Sequence, residues 1–149
     1  MASDKPRKGQ PTRFEHDSLH GASFEDVDLG EARLHDVTLA GSRVDDVSFA
    51  DATLTNVSFE RAKLDDASFA SASVKNVSFE KATLDDVSFA GATLTNVSLA
   101  DTSLTDASLA KARLSDVDLT GVTITDAKID GLTIDGVRID ELLRAHRKP

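Results

Sequence analysis

The chain has 149 residues, a formal net charge of −9 and no cysteine, tryptophan or tyrosine. That length suits one domain with one core, and the absent cysteines exclude disulfides and thiolate metal sites. No run of about 18 apolar residues occurs, so no membrane span is predicted and no bilayer partner is expected.

Residues 1–13, "MASDKPRKGQPTR", set Asp4 against Lys5, Arg7, Lys8 and Arg13, a net of +3. Pro6 and Pro11 stand among these charges, and no apolar stretch follows, so a disordered basic tail is predicted rather than a secretory leader. A cytoplasmic protein is the expectation. Residues 140–149 carry a net of +1, which leaves −13 on residues 14–139. Such a body repels nucleic acid and is drawn to basic surfaces.

From Phe14 to Ile139 every fifth residue is Phe, Leu, Ile or Val, without a break. A helix buries a stripe every 3.6 residues and a strand every 2, so neither explains a period of five. Two residues before each large side chain, from Ala22 onward, the slot is small or apolar: Ala22, Val27, Ala32, Val37, Ser42, Val47. A spacing of two places both on one side of an extended segment, with the polar residue between them facing water. A continuing strand would turn the next unit inside out, so the chain has to bend after each large residue. The second residue after it, from Asp26 to Glu141, is Asp, Asn or Gly in 18 of 24 cases, the types that tolerate turn dihedrals.

The number of sides follows from longer spacings. Asp45–Asp46, Asp65–Asp66 and Asp85–Asp86 lie twenty apart, as do Asn56, Asn76 and Asn96. Phe49, Phe69 and Phe89 form one series at that spacing, and Phe59 with Phe79 a second, offset by ten. Four sides per coil put the two Phe series on opposite walls. The reading is an all-β quadrilateral parallel β-helix of about 6.5 coils and roughly 31 Å in length.

The units "ATLTN", "AKLDD" and "VSFAG" resemble the pentapeptide repeat family, and the resemblance covers residues 14–139. It implies a right-handed β-helix and, in many members, dimerisation through the C-terminal end. There "IDELLRAHRKP" reads as a capping helix and tail over 140–149, with Leu142 and Leu143 able to lie on the last coil. Ile134, Ile139, Leu142 and Leu143 are the candidate cap and homodimer residues. Thr12 and Asp17 in the small slot predict an irregular first coil.

No nucleophile, acid–base pair or phosphate loop stands out, so no enzyme activity and no cofactor are expected. His16 and His20, near Glu15 and Asp17, have the spacing of a metal pair, but ordinary polar cover explains them and no metal is assigned. A column Arg33, Thr53, Ser73, Thr93, Arg113 has the spacing of an ice-binding array and is interrupted by its arginines.

Charge placement is more informative. On a twenty-residue coil, Glu25, Asp45, Asp65 and Asp85 line up beside Asp26, Asp46, Asp66, Asp86, Asp106 and Asp126. Ten of the 23 acids between residues 14 and 139 therefore share one corner. Two carboxylates per rung of about 4.8 Å approach the charge density of duplex DNA, about one per 1.7 Å. Turn chemistry explains the second column but not the first. The expected role is a non-enzymatic acidic rod that binds a basic protein surface and not nucleic acid directly. Some pentapeptide repeat proteins mimic DNA and bind gyrase, so the resemblance implies a type II topoisomerase as partner. The competing expectation is a structural or scaffolding solenoid, natural or engineered, with no partner for the ridge.

Overall fold

The structure, a computed structural model, describes residues 13–15 and 18–147. The predicted disordered tail over 1–13 lies almost wholly outside the described residues, as do Thr12, His16 and Asp17. The strands are β1 (Arg13–Glu15), the six-residue β2 (Ser23–Asp28), β3 (Arg33–Thr38), β4 (Arg43–Ser48), β5 (Thr53–Ser58), β6 (Lys63–Ser68) and β7 (Ser73–Ser78). The three-residue β8 (Thr83–Asp85), β9 (Thr93–Thr95), β10 (Ser103–Thr105), β11 (Arg113–Ser115) and β12 (Thr123–Thr125) follow. A short pair, β13 (Thr133–Ile134) and β14 (Val137–Arg138), leads into helix α1 (Ile139–Arg147).

Odd-numbered strands up to β13 stack in one sheet, which β14 closes, and even-numbered strands up to β12 stack in the other. Each parallel partner lies twenty residues on, from Arg13↔Arg33 through Ser103↔Thr123. Four pentads therefore make one turn, and the chain is a β-solenoid of about 6 turns.

Its core is a single stack of Leu, Val, Ala and Phe from Leu29 to Leu114 together with Leu132. The two Phe walls are as the spacing predicts. Phe49, Phe69 and Phe89 stack at 4.8 and 5.0 Å, Phe59 and Phe79 at 5.0 Å, and rings of opposite walls meet edge to face at about 6 Å. Each ring stacks on one of the same wall in a neighbouring turn, and Phe69 on one in both, the nearest-neighbour contact on which solenoid stability rests.

The corners are of two kinds, a distinction the pentad reading does not contain. Every fifth residue from Gly21 to Gly136 has positive φ. At residues ending in 1, a backbone hydrogen bond closes a four-residue turn, as from the Ala52 N–H to the Phe49 carbonyl at 3.0 Å. This is the type II pattern, with its third residue left-handed. The closing bond lets Glu31, Arg61, Ser71, Lys81 and Lys111 hold that conformation. At residues ending in 6, no such bond closes the corners of β8 to β12; the left-handed residue's own amide reaches the next turn at both kinds of corner, as from the Asp86 N–H to the Thr105 carbonyl at 3.0 Å and from the Asp51 N–H to the Ala70 carbonyl at 2.9 Å. All of these open corners from Asp26 to Asp126 carry Asp or Asn, which visit the left-handed region most readily among non-glycine residues. The true repeat is thus a decapeptide of one open and one closed corner.

Ser and Thr in the slot before each closed corner are not mere solvated cover. The Ser48, Ser58, Ser68, Ser78, Ser88 and Ser98 hydroxyls accept the N–H two residues on, at 3.2–3.4 Å. Asp28 and Asp118 do the same at 2.9 Å.

Regular winding ends before the apolar phase does. Asp135 and Gly136 both have positive φ and join β13 to β14 as a two-residue antiparallel hairpin. Parallel stacking stops at Ile134, although the five-residue phase runs on to Ile139.

Candidate functional site

The first acidic column is fixed by strand register. Glu25, Asp45, Asp65 and Asp85 are direct cross-strand partners, continued by Thr105 and Thr125. The second, Asp26, Asp46, Asp66, Asp86, Asp106 and Asp126, occupies the left-handed residue of six successive open corners. All ten acids are exposed except Asp45, which is half-buried. Between the second column and the Val, Ala and Ser side chains of the next face runs an open groove of about 730 Å³, with Lys128 at one end.

Arg43 and Lys63 stand two residues before Asp45 and Asp65 on the same strands. Arg43 lines a small pocket with Glu25 and Asp45, but neither cation forms an ion pair with the ridge: those of the described residues are Arg13–Glu15, His35–Asp36, and Arg138 with Asp140 and Glu141. The carboxylates instead act on one another. The Asp26 carboxyl, hydrogen-bonded to Asp46 and repelling its charge, holds the Asp46 carboxyl above its ordinary value, and Asp66 and Asp45 add to the repulsion.

The diagonally opposite corner is an internal control. Its open turns carry Asp36, Asn56, Asn76, Asn96 and Asp116 in the same backbone conformation, with φ of 53–55° against 53–56° in the acidic column. There the side chains form an amide ladder. Asn96 donates to Asn76 at 2.6 Å, Asn76 to Asn56 at 3.2 Å, and Asn56 to Asp36 at 2.9 Å. The corner geometry is thus met by Asn as well as by Asp, with amide hydrogen bonds joining successive turns. Both corners accept Asp or Asn in one backbone conformation.

The C-terminal end is the second notable surface. Ile124 is 41% exposed, Val137 51%, Leu142 57% and Leu143 37%, beside half-buried Ile134 and Ile139. Leu142 and Leu143, read from the sequence as able to lie on the last coil, are both exposed, Leu143 bordering a cleft that Ile129 also lines. The helix is held at its first turn by half-buried Ile139, packed against the core, and by the polar contacts of buried Asp140; the cleft, of about 210 Å³, is lined by Ile129, Asp130, Asp140, Leu143 and Arg144.

Among the described residues no three His, Asp or Glu gather as metal ligands, and no helix is long and apolar enough to cross a membrane. The Arg33, Thr53, Ser73, Thr93, Arg113 column is in register, with the arginines at its ends.

The pentapeptide repeat region model matches residues 12–89 and again 66–142. The chain belongs to the pentapeptide repeat family. Solved structures similar to this pentapeptide repeat protein include HetL, a pentapeptide repeat protein involved in heterocyst differentiation regulation from the cyanobacterium Nostoc sp. strain PCC 7120. It is 17% identical, the match covers 87% of this chain and 90% of that chain, and the TM-score is 0.35. Rfr23 from the cyanobacterium Cyanothece 51142 is 18% identical over 83% and 91%, with a TM-score of 0.35. Full-length QnrB1, a plasmid-mediated fluoroquinolone resistance protein, is 16% identical over 91% and 73%, with a TM-score of 0.33. No curated protein matches the chain.

Proposed function

We propose that this protein is a non-enzymatic acidic rod whose charged corner binds a basic protein surface shaped for DNA, with the DNA-binding saddle of a type II topoisomerase such as gyrase as the specific candidate. The contrast between the two open corners carries the reading. Corners of matching φ bear a ladder of hydrogen-bonded Asn on one edge and stacked Asp on the other, where the neighbouring Asp26 holds the Asp46 carboxyl above its ordinary value. A column that works against folding where a neutral one would serve is retained for its charge.

The ridge has two carboxylates per rung over four rungs, from Glu25–Asp26 to Asp85–Asp86, and one on each of the next two. At about 4.8 Å per rung this approximates the linear charge of a duplex on one face. The apolar end carrying Ile124, Val137, Leu142 and Leu143 pairs with a second copy, which doubles the length of the charged edge. The test is gyrase supercoiling with added protein at low and high salt. Inhibition that weakens as salt rises supports the reading, because exposed charges are screened beyond about 8 Å at 0.15 M. No effect at micromolar protein removes gyrase as the partner. The alternative, a scaffold that only self-associates, is supported by the same exposed end. It predicts that neutralising the ridge leaves every interaction intact.

A further inference from the structure

The acidic corner has a neighbour of opposite sign. Arg43 and Lys63 are direct cross-strand partners on β4 and β6. Arg61 and Lys81 stand two residues before Lys63 and Thr83, at the left-handed residue of two successive closed corners. All four are exposed, and none forms an ion pair with a carboxylate among the described residues. Only the inward-facing Val44 and Leu64 stand between Arg43 and Asp45 and between Lys63 and Asp65, so cations and acids share one outer face. Two strand residues span about 6.6 Å, which puts the two stripes within one screening length, about 8 Å at 0.15 M salt. On the far side Glu60 and Glu80 are half-buried, and Glu80 accepts the Ser98 hydroxyl at 3.1 Å.

The opposite wall, ten residues out of step, fills the same places without charge. Thr53, Ser71, Ser73 and Gly91 stand there in matching strand register and matching left-handed corners. A uniformly basic surface laid over ridge and stripe together is attracted by one and repelled by the other. A duplex, with phosphates on both strands, has no such positive border. We propose that Arg43, Arg61, Lys63 and Lys81 are the second half of the interaction surface: they meet carboxylates at the margin of the partner's basic surface, and so fix which way round the rod lies on it. The proposal deepens the reading above and rests on it. Facing like charges reject wrong partners and wrong registers, so the stripe selects a basic surface with an acidic border.

The test is the variant R43T/R61G/K63T/K81G, whose new residues match Thr53, Gly91 and Thr83 in equivalent places, with thermal melting to check its fold. Its affinity is measured at low salt for purified gyrase and for amidated, fluorescein-labelled decalysine, a polycation without carboxylates. Decalysine should bind the variant about three-fold or more tighter than wild type, because four repelling charges are gone. Gyrase should bind it about ten-fold more weakly, at roughly 1.4- to 5-fold for each exposed pair lost. On the wild-type complex, carbodiimide coupling read by mass spectrometry should join Lys63 or Lys81 to an aspartate or glutamate of gyrase and leave Lys111, at another corner, uncoupled. That arm needs no variant, so it decides the matter even where the quadruple change lowers stability. Gyrase affinity that stays level, or rises with that for decalysine, overturns the proposal and leaves the ridge as the whole surface; coupling through Lys111 as readily as through Lys63 does the same. A wild-type rod that binds decalysine but no gyrase removes the topoisomerase reading, and this proposal with it.

Discussion

Converting the acidic column into a copy of the opposite edge separates charge from turn geometry. In the triple variant D46N/D66N/D86N the three new amides occupy open corners with φ of 54–56°, against 54–55° at Asn56, Asn76 and Asn96. No apolar contact is lost, the corner conformation is retained, and the repulsion that raises the Asp46 carboxyl is removed. Folding is therefore expected to be intact, with a melting temperature equal to or above wild type.

Binding should move the other way. Three of the ten ridge charges disappear, all from the four rungs that carry two acids each. Exposed ion pairs are individually weak, each worth roughly 1.4- to 5-fold in affinity, so the triple should cost about ten-fold at 0.15 M salt. The dependence of log affinity on log salt should flatten by up to about 0.9 per neutralised charge if the ridge is met as DNA phosphates are. The assay is affinity for purified gyrase across a salt series, beside calorimetric melting. The mirror variant N56D/N76D/N96D should lower the melting temperature and leave that affinity unchanged. Unchanged affinity with a raised melting temperature in the first triple would show that the aspartates serve only the turn. A lowered melting temperature would refute the equivalence of the two corners.

Other outcomes follow from individual residues. The Ser42 hydroxyl is buried without a hydrogen-bond partner, whereas Thr102 in the equivalent slot donates to the Phe79 carbonyl at 2.7 Å. S42A should stabilise by about 1 kcal/mol, or roughly 2–4 °C in melting temperature, and T102A should destabilise by a similar amount. Lys81 holds φ of 60° at a closed corner, so K81G should gain about 0.5–1 kcal/mol after the added freedom of the unfolded chain is counted; K63G, inside strand β6, should lose stability. Thermal scans decide both pairs. The pH dependence has two opposed arms. The raised Asp46 carboxyl adds stability that is complete below its ordinary value of 3.8 and is lost as pH rises through the raised one. Asp140, held far below the usual range chiefly by Arg138 and then by the Gly131 N–H, adds stability that is present above 3.8 and is lost as pH falls below it. Melting temperature should therefore peak in mildly acidic solution; D46N should flatten the neutral side of the curve and D140N the acid side.

The pentad period, the four sides, the two Phe walls and the position of every bend were legible in the chain, because each is a one-dimensional repeat that stacking converts into a column. The composition of the acidic corner was legible for the same reason. The alternation of corner types was also written there, in Asp or Asn at residues ending in 6 and Ser at those ending in 8. Only the backbone hydrogen bond, present after Phe49 and absent after Leu84, gives that alternation its meaning. The Asn ladder as a control for the Asp column was hidden in the same way, since comparing two edges requires knowing that their backbones coincide.

Where the repeat ends, sequence alone no longer decides. Ile139 keeps the five-residue phase, yet Asp135–Gly136 reverses the strand and Ile139 opens a helix. The apolar pattern of "IDELLRAHRKP" suggested burial of Leu142 and Leu143. In the folded chain both are exposed, and the first helical turn is anchored by the fork between Arg138 and Asp140 and by half-buried Ile139. Within the repeat, each residue's surroundings are set by the residue twenty positions away, so the linear order is enough. At the terminus no next turn exists to impose that spacing, and the outcome rests on the polar contacts of Asp140 and the packing of Ile139, which only the folded chain assembles.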